Sequence, residues 1–240
     1  AATFGQRLRF NELSREVELD GKEYDLEKAY LDLAIKHGIK ASKQLALDVF
    51  MLAARENAYH PVREYLERVA RETTPINLDD LATRYLGAKN PLYDVFLKKT
   101  LIAAVARIFE PGCKVDTALV LQGKTGIRKS TFFNTLAGAW FNDTFKNGDS
   151  KDDLLIFHSH WILEWGEIEK LFGKKQAAEL KPFITAKSDC FREPYGRKTA
   201  QYPRQQIIVG STNETEFLAD PTGNRRYWVI HVTVGMIDTE

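Results

Sequence analysis

Residues 117–138 read Thr-Ala-Leu-Val-Leu-Gln122, then Gly123-Lys-Thr-Gly126-Ile-Arg128-Lys129-Ser130, then Thr131-Phe-Phe-Asn-Thr-Leu-Ala-Gly138. The first run is apolar and β-branched enough for a buried strand, and the last has helical spacing. Between them lies a Gly-containing loop that ends in Lys-Ser at the helix start. A phosphate chain needs bare backbone N–H groups and a helix N-terminus, and glycines let the chain curl closely enough to offer both. The spacing G-x-x-x-x-G-K-[ST] is met at Gly123, Lys129 and Ser130, except that Arg128 stands where the second Gly is expected. Gly126 can relieve part of the strain, and the Arg128 guanidinium is itself a potential phosphate contact. The plainer reading is a strand, loop and helix with no ligand.

Outward from this stretch, the runs at 160–165 (HWILEW), 205–212 (QQIIVGST) and 226–232 (RYWVIHV) are short, apolar, and rich in β-branched and aromatic residues. Helical material separates the first three strands. This is α/β patterning with a buried, largely parallel sheet, a P-loop NTPase type of architecture preceded by a smaller, mainly helical domain. In that first part Asp20-Gly21 marks a tight hairpin turn, and helices are expected around Leu26–Ala34, Leu45–Ala53, Val62–Val69 and from Asn77 to Gly87. A longer helix opens at Asn90-Pro91 and stops at Pro111-Gly112. The expected division is therefore 1–89 and 90–240.

Composition narrows the function classes. The chain has 240 residues, 44% hydrophobic and 28% charged, the balance of a soluble globular protein. It carries 34 basic against 33 acidic side chains, so affinity for a polyanion must come from a local cluster. With only Cys113 and Cys190, neither a disulfide framework nor a cysteine zinc site is expected, which favours a reducing, cytoplasmic compartment. No apolar run approaches the roughly 18 residues of a membrane span, and the N-terminus lacks a signal-peptide core. A first residue other than Met suggests a piece of a longer chain.

Hydrolysis of ATP at such a loop needs carboxylates beyond a neighbouring strand to hold Mg²⁺ and to polarise water. Glu164 is the candidate for the metal, together with Ser130, and Glu167 for the water, with the two roles exchangeable. Asn213, at the end of the third strand, is a candidate for orienting that water, or else a plain turn residue. Arg225 and Arg226, just before the last strand, are candidates for a finger that neutralises transition-state charge. Between 187 and 204, Lys187, Arg192, Arg197, Lys198 and Arg204 alternate with Phe191, Tyr195 and Tyr202 around a Glu193–Gly196 turn. This looks like a basic hairpin for nucleic acid, in which cations meet phosphates and rings stack on unpaired bases. A solvated loop and a lid over nucleotide fit the same pattern. His158 and His160 read as polar residues at a strand start, and Trp140, Phe141 and Trp161 as core.

Taken together, GKTGIRKSTFFNTLAGAWF, WILEWGEIE, LKPFITAKSDCFREPYGRKTAQYPRQ and IIVGSTNETEFLADPTGNRRYWVI resemble the virulence-associated protein E family from about Leu92 onward. Those are ATPases of phages and mobile elements, similar to superfamily 3 replicative helicases. The resemblance implies that residues 123–131 (Gly123, Lys124, Thr125, Gly126, Ile127, Arg128, Lys129, Ser130 and Thr131) cradle ATP. It also implies Glu164 and Glu167 as Walker B carboxylates, Asn213 as the sensor, and Arg225 or Arg226 acting on a neighbouring subunit. A homo-oligomeric ring of six with a DNA channel is implied too, the basic hairpin lining the channel. Arg128 departs from the family's Gly, which bears on turnover rather than on the fold. Two other functions fit the residues: a nucleotide- and nucleic-acid-binding regulatory module without turnover, and a P-loop small-molecule kinase.

Overall fold

The computed structural model describes residues 4–146, 150–172, 174–193, 196, 198–216 and 224–239. The chain divides into two compact units, Ala1–Arg68 with Glu193–Gly196, and Val69–Arg192 with Arg197–Glu240.

The first unit opens with a three-stranded antiparallel sheet, β1 (Leu8–Phe10), β2 (Val17–Leu19) and β3 (Lys22–Glu23). Asp20 and Gly21 both take positive φ, 56° and 75°, which is the geometry that joins twisted strands with two residues. Helices α1 (Ala29–His37) and α2 (Lys43–Glu56) pack on it. Ser42 caps α2 by accepting from the Leu45 N–H at 3.2 Å. The face that α2 buries is Ala46, Phe50 and Ala54, whereas Leu45, Val49 and Leu52 are exposed. Helix α3 (Pro61–Glu72) starts on a proline. Glu193 accepts from Arg15 at 2.6 Å and Arg55 at 2.9 Å.

The second unit begins its helical part with α4 (Leu81–Leu86), closed by Gly87 at φ 65°. The sequence reading groups α4 with the N-terminal helices and starts it at Asn77. Instead it begins four residues after that, and it packs with α5 (Pro91–Phe109), where Asp94 accepts from both the N–H and the hydroxyl of Thr83. Five parallel strands follow in the order β10-β4-β9-β6-β5: β4 (Ala118–Gln122), β5 (Phe141–Asn142), β6 (Ile162–Trp165), β9 (Ile207–Thr212) and β10 (Tyr227–His231). Helices α6 (Lys129–Ala137), α7 (Lys151–His158) and α8 (Lys174–Thr185) make the crossovers, and β7 (Ser188–Phe191) pairs with β8 (Ala200–Pro203) as a separate hairpin.

Strands β4, β6 and β9 are buried at every position, which explains their unbroken apolar runs. One sheet face, with Val120, Leu163, Trp165 and Ile208, packs against Phe157, Leu180 and Ile184. On the other face Trp228 stacks on Phe96 of α5 with ring centroids 4.9 Å apart. From β4 the chain crosses to the far edge at β5 and returns through β6 and β9. The carboxyl ends of β4, β9 and β6 therefore converge, which is where open α/β sheets place their ligands. Among the described residues no helix is long and apolar enough to cross a membrane.

Candidate functional site

Beyond β4 the loop from Gly123 curls back onto α6. A Cβ at Gly123 would stand 2.8 Å from Ile127 Cδ1 and 3.3 Å from the Val232 carbonyl, so any side chain there would have to displace the Ile127 tip and press on the backbone. Ile127 faces inward and its carbonyl accepts from the Ile237 N–H at 3.0 Å, so its side chain anchors the loop rather than facing a ligand. Gly126 takes φ 83° and Arg128 φ 67°. Arg128 thus adopts the left-handed backbone that the expected glycine would supply freely, at a cost of about 1–2 kcal/mol, and its side chain is exposed. The substitution therefore leaves the path of the loop intact.

Lys129 folds its side chain into this loop. Its Nζ donates to the carbonyls of Gly123 at 2.7 Å and Lys124 at 2.8 Å and to Asn213 Oδ1 at 2.8 Å. Burial draws its pKa below the ordinary lysine value, against the opposing pull of Glu164 and Glu169. Next to it, Ser130 Oγ donates to Glu164 Oε1 at 2.9 Å. Lys124, Thr125 and Thr131 are exposed along the same rim.

Glu164 lies inside β6 with 0% exposure. Burial raises its pKa, while hydrogen bonds from Ser211 and Ser130 lower it. Its second oxygen, Oε2, is buried without a hydrogen-bond partner among the described residues. An orphaned carboxylate oxygen beside a serine hydroxyl suits a Mg²⁺ ion, which takes one or two protein oxygens and completes its shell with water and phosphate. Among the described residues no cluster of three His, Cys, Asp or Glu could hold a metal, so any ion here would depend on such outside ligands.

Glu167 is placed differently from the expectation. It sits in the turn after β6 at φ 51°, exposed, paired with Lys170. The carboxylate that does reach the strand ends is Glu169, whose Oε2 accepts from Thr212 Oγ1 at 2.6 Å. The sequence reading missed it because the 3-10 turn Ile168–Phe172 carries no periodic signal, although Glu169 lies only two residues beyond Glu167. Asn213 is brought into the site through Lys129. Arg225 and Arg226 stand on a 3-10 turn leading into β10, Arg225 exposed and Arg226 half-buried.

The basic hairpin divides. Lys187, Arg192 and Lys198 are exposed, while Tyr195 and Arg197 lie outside the described residues. Arg204 corrects the sequence reading: it is 1% exposed and cannot meet a nucleic acid. Its guanidinium holds Asp189 through Nε and Nη2, both at 2.7 Å, donates to the Phe183 carbonyl, and lies over the rings of Phe183 and Phe157 at 4.1 and 4.7 Å. His158, expected as an edge residue, is buried in the same cluster, 2.9 Å from Asp189. Arg204 follows β8 where the hairpin returns to the core, so a cation in a basic stretch became a buried tether.

The family model for the virulence-associated protein E-like domain matches residues 66–240. No curated protein matches the chain. Among solved structures, the apo NrS-1 C terminal region (305–718) is similar at 18% identity, over 68% of this chain and 40% of that one, with a TM-score of 0.47. An A-form apo structure of that region gives 16% identity over the same shares and a TM-score of 0.43. The chain thus spans 40% of the length of these neighbours. The agreement of the family model over most of the sequence identifies this chain as a member of the virulence-associated protein E-like family.

Proposed function

We propose that the second unit is a P-loop ATPase of the kind that drives replication helicases in phages and mobile elements, and that it acts on single-stranded DNA. The observation that carries this reading is the double capture at the head of α6. Lys129 is held by two loop carbonyls and Asn213, and Ser130 by a buried carboxylate. A largely buried ammonium held by three neutral acceptors is suited to take an anionic group such as a phosphate in their place.

The β- and γ-phosphates of ATP would replace the Gly123 and Lys124 carbonyls at Lys129, with backbone N–H groups from Gly123 to Ser130 around them. Ser130 and Glu164 would hold Mg²⁺, which supplies charge neutralisation on the phosphate oxygens. Asn213, freed from Lys129, orients the attacking water. Arg225 or Arg226 reaches the nucleotide of an adjacent subunit in a homo-oligomeric ring, and Lys187, Arg192 and Lys198 contact the strand's phosphates. An inert nucleotide-binding module remains a second reading, favoured by the strained Arg128.

The test is ATP hydrolysis by the chain with and without single-stranded DNA, alongside calorimetric ATP binding with magnesium. Binding with DNA-stimulated turnover supports the motor, and binding without turnover supports the inert module. A required second acceptor would point to a kinase. Absence of binding by the parent chain, or full binding by Lys129→Ala, would reject the site.

A further inference from the structure

The reading of the site as an ATPase leaves its second carboxylate open, and the backbone around β9 bears on that choice. Gly210 in β9 is closely approached: a Cβ there would lie 3.0 Å from Ile168 Cδ1 and 3.4 Å from the Trp165 carbonyl. That bare position lets the turn after β6 settle against β9, with Ile168 fully buried. One residue later, Glu169 meets Thr212 at 2.6 Å. Thr212 is the last residue of β9, its carbonyl accepts from the Gly123 N–H at 3.1 Å, and its neighbour Asn213 binds Lys129. The order Glu169, Thr212, Asn213, Lys129 is thus a continuous path of contacts at the sheet's carboxyl edge. The negative charge of Glu169 also favours the protonated form of Lys129, as that of Glu164 does. Glu167, by contrast, is exposed and paired with Lys170.

The half-buried Glu169 uses only Oε2 on Thr212, and among the described residues Oε1 has no hydrogen bond, which leaves it able to accept from water. Glu164 is poorly suited to that task, because it is fully enclosed and already engaged with Ser130. We propose that Glu169, held by Thr212, is the catalytic base that takes a proton from the attacking water.

In that step the water oxygen forms a bond to the γ-phosphorus while the bond from that phosphorus to the β-bridging oxygen breaks. The bonding electron pair leaves with ADP, and the water's proton passes to Glu169 Oε1 and from there to solvent. Thr212 is a positioning residue: it fixes the carboxylate without touching the reacting atoms.

This proposal rests on the ATPase reading, so the experiment separates the two. Glu169→Gln and Glu167→Gln are compared with the parent chain for hydrolysis and for binding of ADP and of a non-hydrolysable ATP analogue with magnesium. Glu169→Gln is expected to lower turnover at least about 100-fold, the usual range for loss of a general base, and at least about ten times more than Glu167→Gln does. It should also tighten the analogue several-fold without changing ADP affinity, because a negative carboxylate near the terminal phosphate no longer repels it. Thr212→Val should lower turnover less than Glu169→Gln, with the analogue tightened little. A larger loss in Glu167→Gln overturns the assignment, as does equal weakening of both nucleotides in Glu169→Gln. If the parent binds nucleotide without hydrolysing it, the selective tightening decides alone, and its absence overturns the assignment. If the parent binds no nucleotide, the ATPase reading fails and this proposal falls with it.

Discussion

Replacing Asp189 by Asn probes the tether beneath the β7–β8 hairpin. Asp189 accepts three hydrogen bonds, two from Arg204 and one from His158. Burial disfavours its charge, but those bonds prevail and the carboxyl titrates at about 2 instead of 3.8. At about 1.4 kcal/mol per pH unit, that depression is worth roughly 2–3 kcal/mol to the folded state. Because the folded pKa is the lower one, the contribution is complete above about pH 4 and drains away as pH falls towards about 2. The Asp189→Asn change would also leave the Arg204 guanidinium buried without its counter-charge, so the loss at neutral pH should reach about 3–5 kcal/mol. Urea unfolding of parent and variant from about pH 7 to about pH 2 measures both effects, and the difference between the two curves removes the other carboxylates. That difference should be largest at neutral pH and shrink by about 2 kcal/mol by about pH 2, where Asp189 is half protonated in the folded state. A difference that stays flat with pH would refute the argument, and so would a variant within about 1 kcal/mol of the parent at neutral pH.

Other perturbations have equally definite outcomes. Arg128→Gly relieves a left-handed backbone and should raise unfolding stability by about 1 kcal/mol, read from denaturant midpoints. Gly87→Ala places a Cβ 2.7 Å from Thr233 Oγ1 at φ 65° and should destabilise by at least about 2 kcal/mol in the same assay. Lys129→Ala should reduce calorimetric ATP affinity at least tenfold and abolish turnover, with the fold unchanged by circular dichroism. If the exposed Lys187, Arg192 and Lys198 contact a single strand, replacing all three by Ala should flatten the salt dependence of binding by about 2 in log–log slope.

The parallel strands were legible because they are buried on both faces and so appear as unbroken apolar runs, as in residues 207–212. The two-residue strand β5 was not, since Phe141-Asn142 is too short for any periodicity and is defined by pairing with β6. Periodicity located α2 but not its buried side: the leucines and valine at 45, 49 and 52 are exposed, and smaller Ala46 and Ala54 face the core around Phe50. At the site, loop spacing led to Lys129 and Ser130 because that geometry is local in sequence. Glu169 could be recognised only through Thr212, 43 positions away. Arg204 was misread for the related reason that a basic residue's partners decide its role, and Asp189, Phe157 and Phe183 come together only in the fold.

The Gly123–Ser130 loop is braced from behind by the segment that follows β10. The Val232 N–H donates to Gln122, its carbonyl crowds Gly123, and the Ile237 N–H reaches Ile127. Strand β10 is also locked to β4 over five successive residue pairs, and Arg225 and Arg226 sit at its entrance. The arginine turn and the Gly123–Ser130 loop therefore stand at opposite ends of one parallel strand pair, so residues that serve both must span the length of the sheet.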